Sequence, residues 1–220
     1  QKDPLVDVRM FVNPSLWPVF LTAGLFGVSV LGAQAPLSTF ARTDPSVYGY
    51  GLGASSGLTS VLIGAYVLAL TAGALLLPLV TRWLSPRWAL IGASLLVGLG
   101  YLLFLPFHTS FAETLTNMII AGIGSGALVA ALPAAAAAAA PHGQTGVATG
   151  LTNSVKTVGG SVASAVFGVA LATHAVGALQ GTAGSFSGYV TVWVICGATA
   201  LVAALALLFV PRTAFSDVVG

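Results

Sequence analysis

Three features of the sequence predict an all-α integral membrane protein, with six transmembrane helices arranged as an inverted repeat of three plus three. First, 57% of the 220 residues are hydrophobic and only 5% are charged, against about a quarter charged in soluble domains; the mean hydropathy is +0.99. Second, the apolar residues fall into six runs, each long enough for the roughly 20 residues that carry a helix across a bilayer. The runs are unbroken, whereas barrel strands alternate in polarity. Third, a short Gly/Ser/Thr motif recurs three spans apart.

The first span is read at residues 15–40. Asn13 is placed to cap it and Pro14 to occupy its first turn, where a missing N–H does no harm. A Gly- and Tyr-rich loop, ARTDPSVYGYG, follows. The remaining spans are read at 54–80, 88–107, 113–140, 145–175 and 188–210. Pro133 removes one ladder bond and is expected to kink the fourth span. Gly122 and Gly126 form a small-xxx-small pair that suits close helix packing in lipid. The alanine run 134–140 reads as a smooth packing surface, with a thin cytoplasmic gate as the alternative. The organisation is then a cytoplasmic linker (1–14), a first three-helix repeat (15–107), a second (108–211) and a cytoplasmic tail (212–220).

The recurring motif is GASSGLTS at 53–60 and GVATGLTN at 146–153. Gly, Gly, Leu and Thr coincide, and Ser56 stands against Thr149. An offset of three spans makes the two copies enter the membrane from opposite sides, the mark of inverted-repeat transporters. Cytoplasmic loops carry the excess of Lys and Arg. Lys2, Arg9, Arg82, Arg87 and Arg212 share one side and only Arg42 lies on the other, so both termini are expected in the cytoplasm. Residues 1–14 are polar and the first run is too long for a signal peptide, so none is expected.

Several classes are excluded. A net charge of +2 gives no footing for nucleic acid. Cys196, the single cysteine, permits no intrachain disulfide. His108, His142 and His174 fall in three separate loops, too scattered for a metal site, and read as interfacial residues. No Ser/His/Asp, Cys/His or clustered-carboxylate arrangement exists, so neither an enzyme nor a cofactor is expected.

One residue stands out. Lys156 lies about twelve residues into the fifth span, where a cation costs at least ~2.5–3.5 kcal/mol. At 100° per residue, Thr145, Thr149, Thr152, Asn153 and Lys156 share one arc of roughly 100°. Gly159, Gly160, Ala163 and Phe167 continue it, and Val147, Leu151, Val158 and Val162 back it. Such a stripe should look into protein or into water. Two readings of the lysine stay open. It lines a cavity or pairs with a carboxylate, or it snorkels toward the cytoplasmic interface. No acidic residue lies at its depth in this sequence.

GQTGVATGLTNSVKTVGGSVASAVFG resembles the penultimate helix of major facilitator superfamily exporters, closest to the fourteen-span drug:proton antiporters. Gly146, Gly150, Asn153, Gly159 and Gly160 match that family's pattern, and Lys156 stands where arginine is usual. LVDVRMFVNPSLW is similar to the linker entering the second half of these transporters, and AGIGSGALVAALPAAAAAAAP resembles their antepenultimate helix. The loop after the second span departs: Pro78, Arg82 and Ser85 stand where Gly, Asp and Gly are usual, and only Pro86-Arg87 fits. The resemblance covers essentially the whole chain and implies the C-terminal six-helix half of a transporter.

That resemblance implies a secondary active exporter of amphiphilic small molecules, driven by proton antiport through alternating access, in a bacterial inner membrane. The implied substrate-cavity residues are Gln34, Asn117, Thr149, Thr152, Asn153 and Lys156, with Phe26, Tyr66 and Trp193 as aromatic surfaces. Arg82, Pro86 and Arg87 would form the cytoplasmic gating loop. The expected partners are the lipid bilayer, an N-terminal transporter half (same gene or separate chain) or a second copy of this chain, and the substrate. Two other readings are kept. A cavity lysine favours an anionic lipid or metabolite as cargo, and a half-transporter fold could serve as a non-transporting membrane scaffold.

Overall fold

The computed structural model describes residues 8–141, 143–173 and 184–209. Every regular element among them is helical. A 3-10 turn (Val8–Val12) leads into α1 (Trp17–Gly27), a π-helical turn (Val28–Gly32) and α2 (Gln34–Arg42). The short α3 (Pro45–Tyr48) precedes α4 (Ser56–Val80), α5 (Pro86–Leu102), α6 (Phe111–Ala139), α7 (Thr145–Thr173) and α8 (Phe186–Phe209). Taken as one, α1 to α2 is a 26-residue span, and four further helices are long and apolar enough to cross a membrane. The sixth, α5, has 17 residues, about 26 Å of helix, and is prolonged by helical turns to Phe107.

Proline chemistry explains where the expected spans and the observed ones differ. A proline ring clashes with the carbonyl four residues earlier. Pro36 therefore disfavours regular α-helix at Gly32, and there the first span breaks into a π turn and restarts. Pro106 likewise bears on Leu102, where α5 stops, five residues before the expected end. At the chain start, Pro18 rather than Pro14 sits in the first turn of α1. Asn13 caps only a turn, its Oδ1 accepting from Ser15 N at 2.9 Å. The helix α6 stays unbroken through Pro133, and α4 through Pro78, so Pro78 belongs to a helix rather than to the loop with which it was aligned. The repeat motif is also out of phase: Ser56 is the first residue of α4, whereas its counterpart Thr149 is already four residues inside α7.

The inverted repeat is nevertheless visible in the packing. The helix α4 lies on α6, and α1 with its π turn lies on α7, so each repeat's second helix packs on the other's first. The third helices, α5 and α8, pack on each other, α5 also on α6 and α8 also on α1. Exchanging the two sets of three spans reproduces this pairing. Both second-on-first crossings are made by glycine. A Cβ on Gly126 of α6 would stand 1.7 Å from the Leu70 carbonyl oxygen of α4, and one on Gly27 of α1 2.0 Å from that of Lys156. Without a hydrophobic drive between helices in lipid, such contact holds the bundle together.

The Arg42 end is closed by rings. Trp193 stacks on Phe104 at 5.2 Å and meets Phe40 edge-on at 5.1 Å. The opposite end carries the turn of Arg82. Lys2, Arg212, His142, His174, residues 1–7 of the linker and the whole 212–220 tail lie outside the described residues.

Candidate functional site

The helix α7 has three faces. Ala148, Thr152, Gly160, Ala163 and Phe167 are buried, the last three against α1 and the π turn, and Val158, Val162 and Val166 form an exposed aliphatic face. Between them runs an exposed row with no side chain larger than asparagine: Gly150, Asn153, Ser154, Thr157, Ser161, Ser164 and Gly168. Within it, Gly150, Ser154, Thr157, Ser161, Ser164 and Gly168 are spaced 4-3-4-3-4, the interval of a helix–helix seam.

At 100° per residue Lys156 falls within the packed face, between Ala163 and Phe167. It is half-buried, about 16 Å along α7 from its first residue, beside the tightest approach of α1. Its carbonyl abuts Gly27, and a Cβ on Gly159 would fall 2.2 Å from the Gly24 carbonyl oxygen. The Lys156 ammonium has no hydrogen-bond or ion-pair partner among the described residues. The two described carboxylates, Asp44 and Glu113, both lie at the Arg42 end of the bundle.

Two shallow grooves open on the surface of α7, and Lys156 lines neither. One, about 420 Å³, is lined by Asn153, Ser154, Thr157, Ser161 and the valines 158 and 162. The other, about 530 Å³, runs between α1 and α7 along Phe20, Leu21, Gly24, Val155 and Gly159, and shares Val162 with the first. The first groove's hydroxyls are already donated to their own helix. Ser154 bonds Gly150 O at 3.0 Å, Thr157 bonds Asn153 O at 3.0 Å, and Ser161 bonds Thr157 O at 2.9 Å. Their lone pairs remain as acceptors for a visiting donor.

Of the other expected cavity residues, Thr149 is half-buried beside this face, and its hydroxyl bonds Thr145 O at 3.0 Å. Gln34 is exposed, at the restart of the first span. Thr152 is buried and donates to Ala148 O at 2.8 Å. Asn117 is 2% exposed, its amide donating to Phe107 O at 2.7 Å and so tying α6 to the end of α5. Phe26, Tyr66 and Trp193 are buried inside the bundle, Tyr66 against Gly122. The structure thus groups Lys156, Asn153 and Thr149 on one side of the chain and encloses the three aromatics elsewhere. Arg82 lies in the turn after α4, and Pro86 and Arg87 open α5. The Arg87 guanidinium donates to Leu208 O, a cation on the last carbonyls of α8, where a helix terminus favours it.

The sequence reading missed two features. Ser154, Thr157 and Ser161 were signalled by the 4-3-4 spacing rather than by polarity. The π turn was signalled by Pro36. Within it the Ser29 carbonyl accepts from Tyr101 Oη at 2.6 Å, while Ser29 Oγ donates to Cys196 O at 3.0 Å. The first span is thereby bolted to α5 and α8 just beyond the Lys156 crossing.

The sequence profile described as "Sugar (and other) transporter" matches residues 24–217. No curated protein matches in sequence. Among solved structures, the inward-open xylose transporter XylE from E. coli superposes with a TM-score of 0.69 at 18% identity, covering 89% of this chain and 47% of that one. The chain thus spans about half the length of that transporter.

Proposed function

Because this chain belongs to the Sugar (and other) transporter family, within the major facilitator superfamily, we propose that it forms the C-terminal half of a secondary active transporter. In this reading the open face of α7 borders the substrate path. One observation carries it: a helix whose most apolar window is only 17% buried presents amide, hydroxyl and ammonium groups to the outside of the chain. A membrane helix turns such groups away from lipid. An N-terminal half, from the same polypeptide or a separate chain, would cover them and enclose a path between the halves.

Within that path, Lys156 with Asn153 and Thr149 would hold cargo, the acidic counter-charge coming from the other half. Alternating access then means tilting the two halves about the covered seam. The cargo proposed is an amphiphilic small molecule exported against protons, in the manner of the drug:proton antiporters that the α7 sequence resembles. The Arg82 and Arg87 end would face the cytoplasm of a bacterial inner membrane.

A second reading has its own support. The row of hydroxyl acceptors on α7 suits a polyhydroxylated solute, and the fold is shared with a transporter of xylose. Proteoliposomes of the full-length transporter under an imposed proton gradient separate the two. Gradient-driven movement of a lipophilic dye, unaffected by xylose, supports export. Counterflow of labelled xylose without dye movement overturns it in favour of the second reading, and movement of neither cargo overturns both.

A further inference from the structure

At the Arg42 end, away from the open face of α7, the loop after α3 and the turn before α6 enclose a half-open pocket of about 390 Å³. Its walls are set before any ligand arrives. Asp44 caps α3, accepting from Ser46 N at 2.8 Å and Ser46 Oγ at 2.7 Å. Gly51, at φ +100, lies so close to Thr43 that a Cβ would stand 2.2 Å from its carbonyl oxygen. Gly53 N and Ala54 N then bond Thr43 O and Ala41 O, each at 2.8 Å. Tyr50 Oη donates to Gly184 O across the pocket's rim.

Rings supply the floor. Tyr50 and Phe186 are 5.5 Å apart at 41°, and His108 lies 5.3 Å from Phe186 and 5.6 Å from Trp193. The polar atoms around them are acceptors. His108 Nδ1 is 3.0 Å from Phe104 O; a carbonyl can only accept, so the neutral ring carries its proton there and leaves Nε2 a lone pair. Thr109 Oγ1 already donates to Glu113 Oε2 at 3.0 Å, and Tyr50 Oη has spent its proton on Gly184. Glu113 therefore sits one hydrogen bond behind the wall, and Asp44 is the neighbour of the lining residue Pro45. Aromatic faces, acceptor lone pairs and two nearby carboxylates all favour positive charge.

We infer that this pocket binds a small organic ammonium ion, its charged end over the rings of Tyr50 and Phe186 and its hydroxyl or N–H donating to His108 Nε2 or Thr109 Oγ1. The site is separate from the proposed transport path and requires no transport to be detected.

Equilibrium binding to the full-length protein in detergent tests it, with choline and its uncharged isostere 3,3-dimethylbutan-1-ol as probes. Choline should bind roughly two- to thirtyfold more tightly, the range of a cation–π contact between exposed and desolvated settings. Phe186→Leu, which keeps apolar bulk but removes one of the two rings, should reduce that preference. Tyr50→Phe, which keeps the ring and loses the rim bond, should retain it. Equal affinity of the two probes for the unaltered protein overturns the assignment without recourse to any variant. So does choline binding left unchanged by Phe186→Leu, or displacement of choline by xylose at equal concentration.

Discussion

The helices α6 and α7 are each 29 residues long and rich in glycine and alanine, yet one is the centre of the bundle and the other its margin. In its most apolar window α6 is 44% buried, against 17% for α7. The difference lies in how the small residues are distributed. In α6 they serve two neighbours at once: Gly124 meets Ala93 and Val97 of α5, and Gly126 meets Leu70 of α4. In α7 one set, centred on Gly159 and Gly160, meets α1, while a second, from Gly150 to Gly168, is exposed, and a Cβ on Gly150 or Gly168 meets nothing within 4 Å among the described residues. Small residues that touch a neighbour make a fold; small residues left open at helix-seam spacing are, in the proposed reading, the surface that the other half would cover.

The largest expected effect breaks this comparison directly. Gly126→Leu must push a side chain into the Leu70 carbonyl, and α4 cannot retreat without leaving α6. Overpacking of a rigid backbone contact costs about 3 kcal/mol or more, so folded, monodisperse protein should be lost on size-exclusion chromatography in detergent. Gly168→Leu makes the same change on the exposed row, where a Cβ meets nothing within 4 Å, and should leave the elution profile intact. If Gly168→Leu is as damaging as Gly126→Leu, the exposed row is structural and the distinction fails.

The next effect concerns the half-buried charge on the packed side of α7. Lys156→Met is cheaper in lipid than lysine and meets no steric barrier on a half-buried face. Membrane insertion should be unchanged, while transport by the full-length protein falls more than tenfold. Lys156→Arg should retain much of the rate, since charge is kept. Transport that survives Lys156→Met would assign the ammonium to snorkelling.

A smaller effect sharpens the boundary between core and open face. With Cys196 fully buried, the unaltered protein should be silent to a water-soluble thiol reagent. Ser161→Cys on the α7 groove should label during turnover of the full-length transporter. Ser125→Cys, buried in α6, should stay silent until the protein is denatured. Equal labelling of both would mean that water reaches the core.

Much of this architecture was legible in the sequence, because apolar length is a coarse signal that survives small errors. Six spans follow from it, and the inverted pairing was signalled by a short motif recurring three spans apart. The breaks near Gly32 and at Leu102 were written in Pro36 and Pro106 but are invisible to hydropathy, which counts proline as one mildly polar residue among many. The polar arc through Lys156 was found by angle alone. Its centre proved to be the packed face, because glycines 159 and 160 let α1 come within backbone contact there. The hydroxyls of Ser154, Thr157 and Ser161 lie between that arc and the valines and look unremarkable on a helical wheel; only their spacing marks them. The enclosure of Phe26, Tyr66 and Trp193 could not be read at all, since an aromatic in an apolar run looks the same on a cavity wall and in a core.

The smallest expected effect concerns how α6 is started. Ser110 and Glu113 form a capping box: Ser110 Oγ accepts from Glu113 N at 3.2 Å, and Glu113 Oε2 accepts from Ser110 N at 3.1 Å and Thr109 N at 2.9 Å. The corresponding cap on α4 is a single bond, Leu58 N to Ser55 Oγ at 3.3 Å. Replacing a capping serine by alanine costs about 1 kcal/mol. Ser110→Ala should lose about that much in a detergent thermal melt, because it opens one side of a reciprocal pair at the head of the helix on which α4 and α5 both pack. Ser55→Ala should lose less, its bond being longer and unreciprocated. The order of the two matters more than their size. If Ser55→Ala proves the more damaging, the bundle depends more on α4 than on α6, and the central place given to α6 would have to pass to its neighbour.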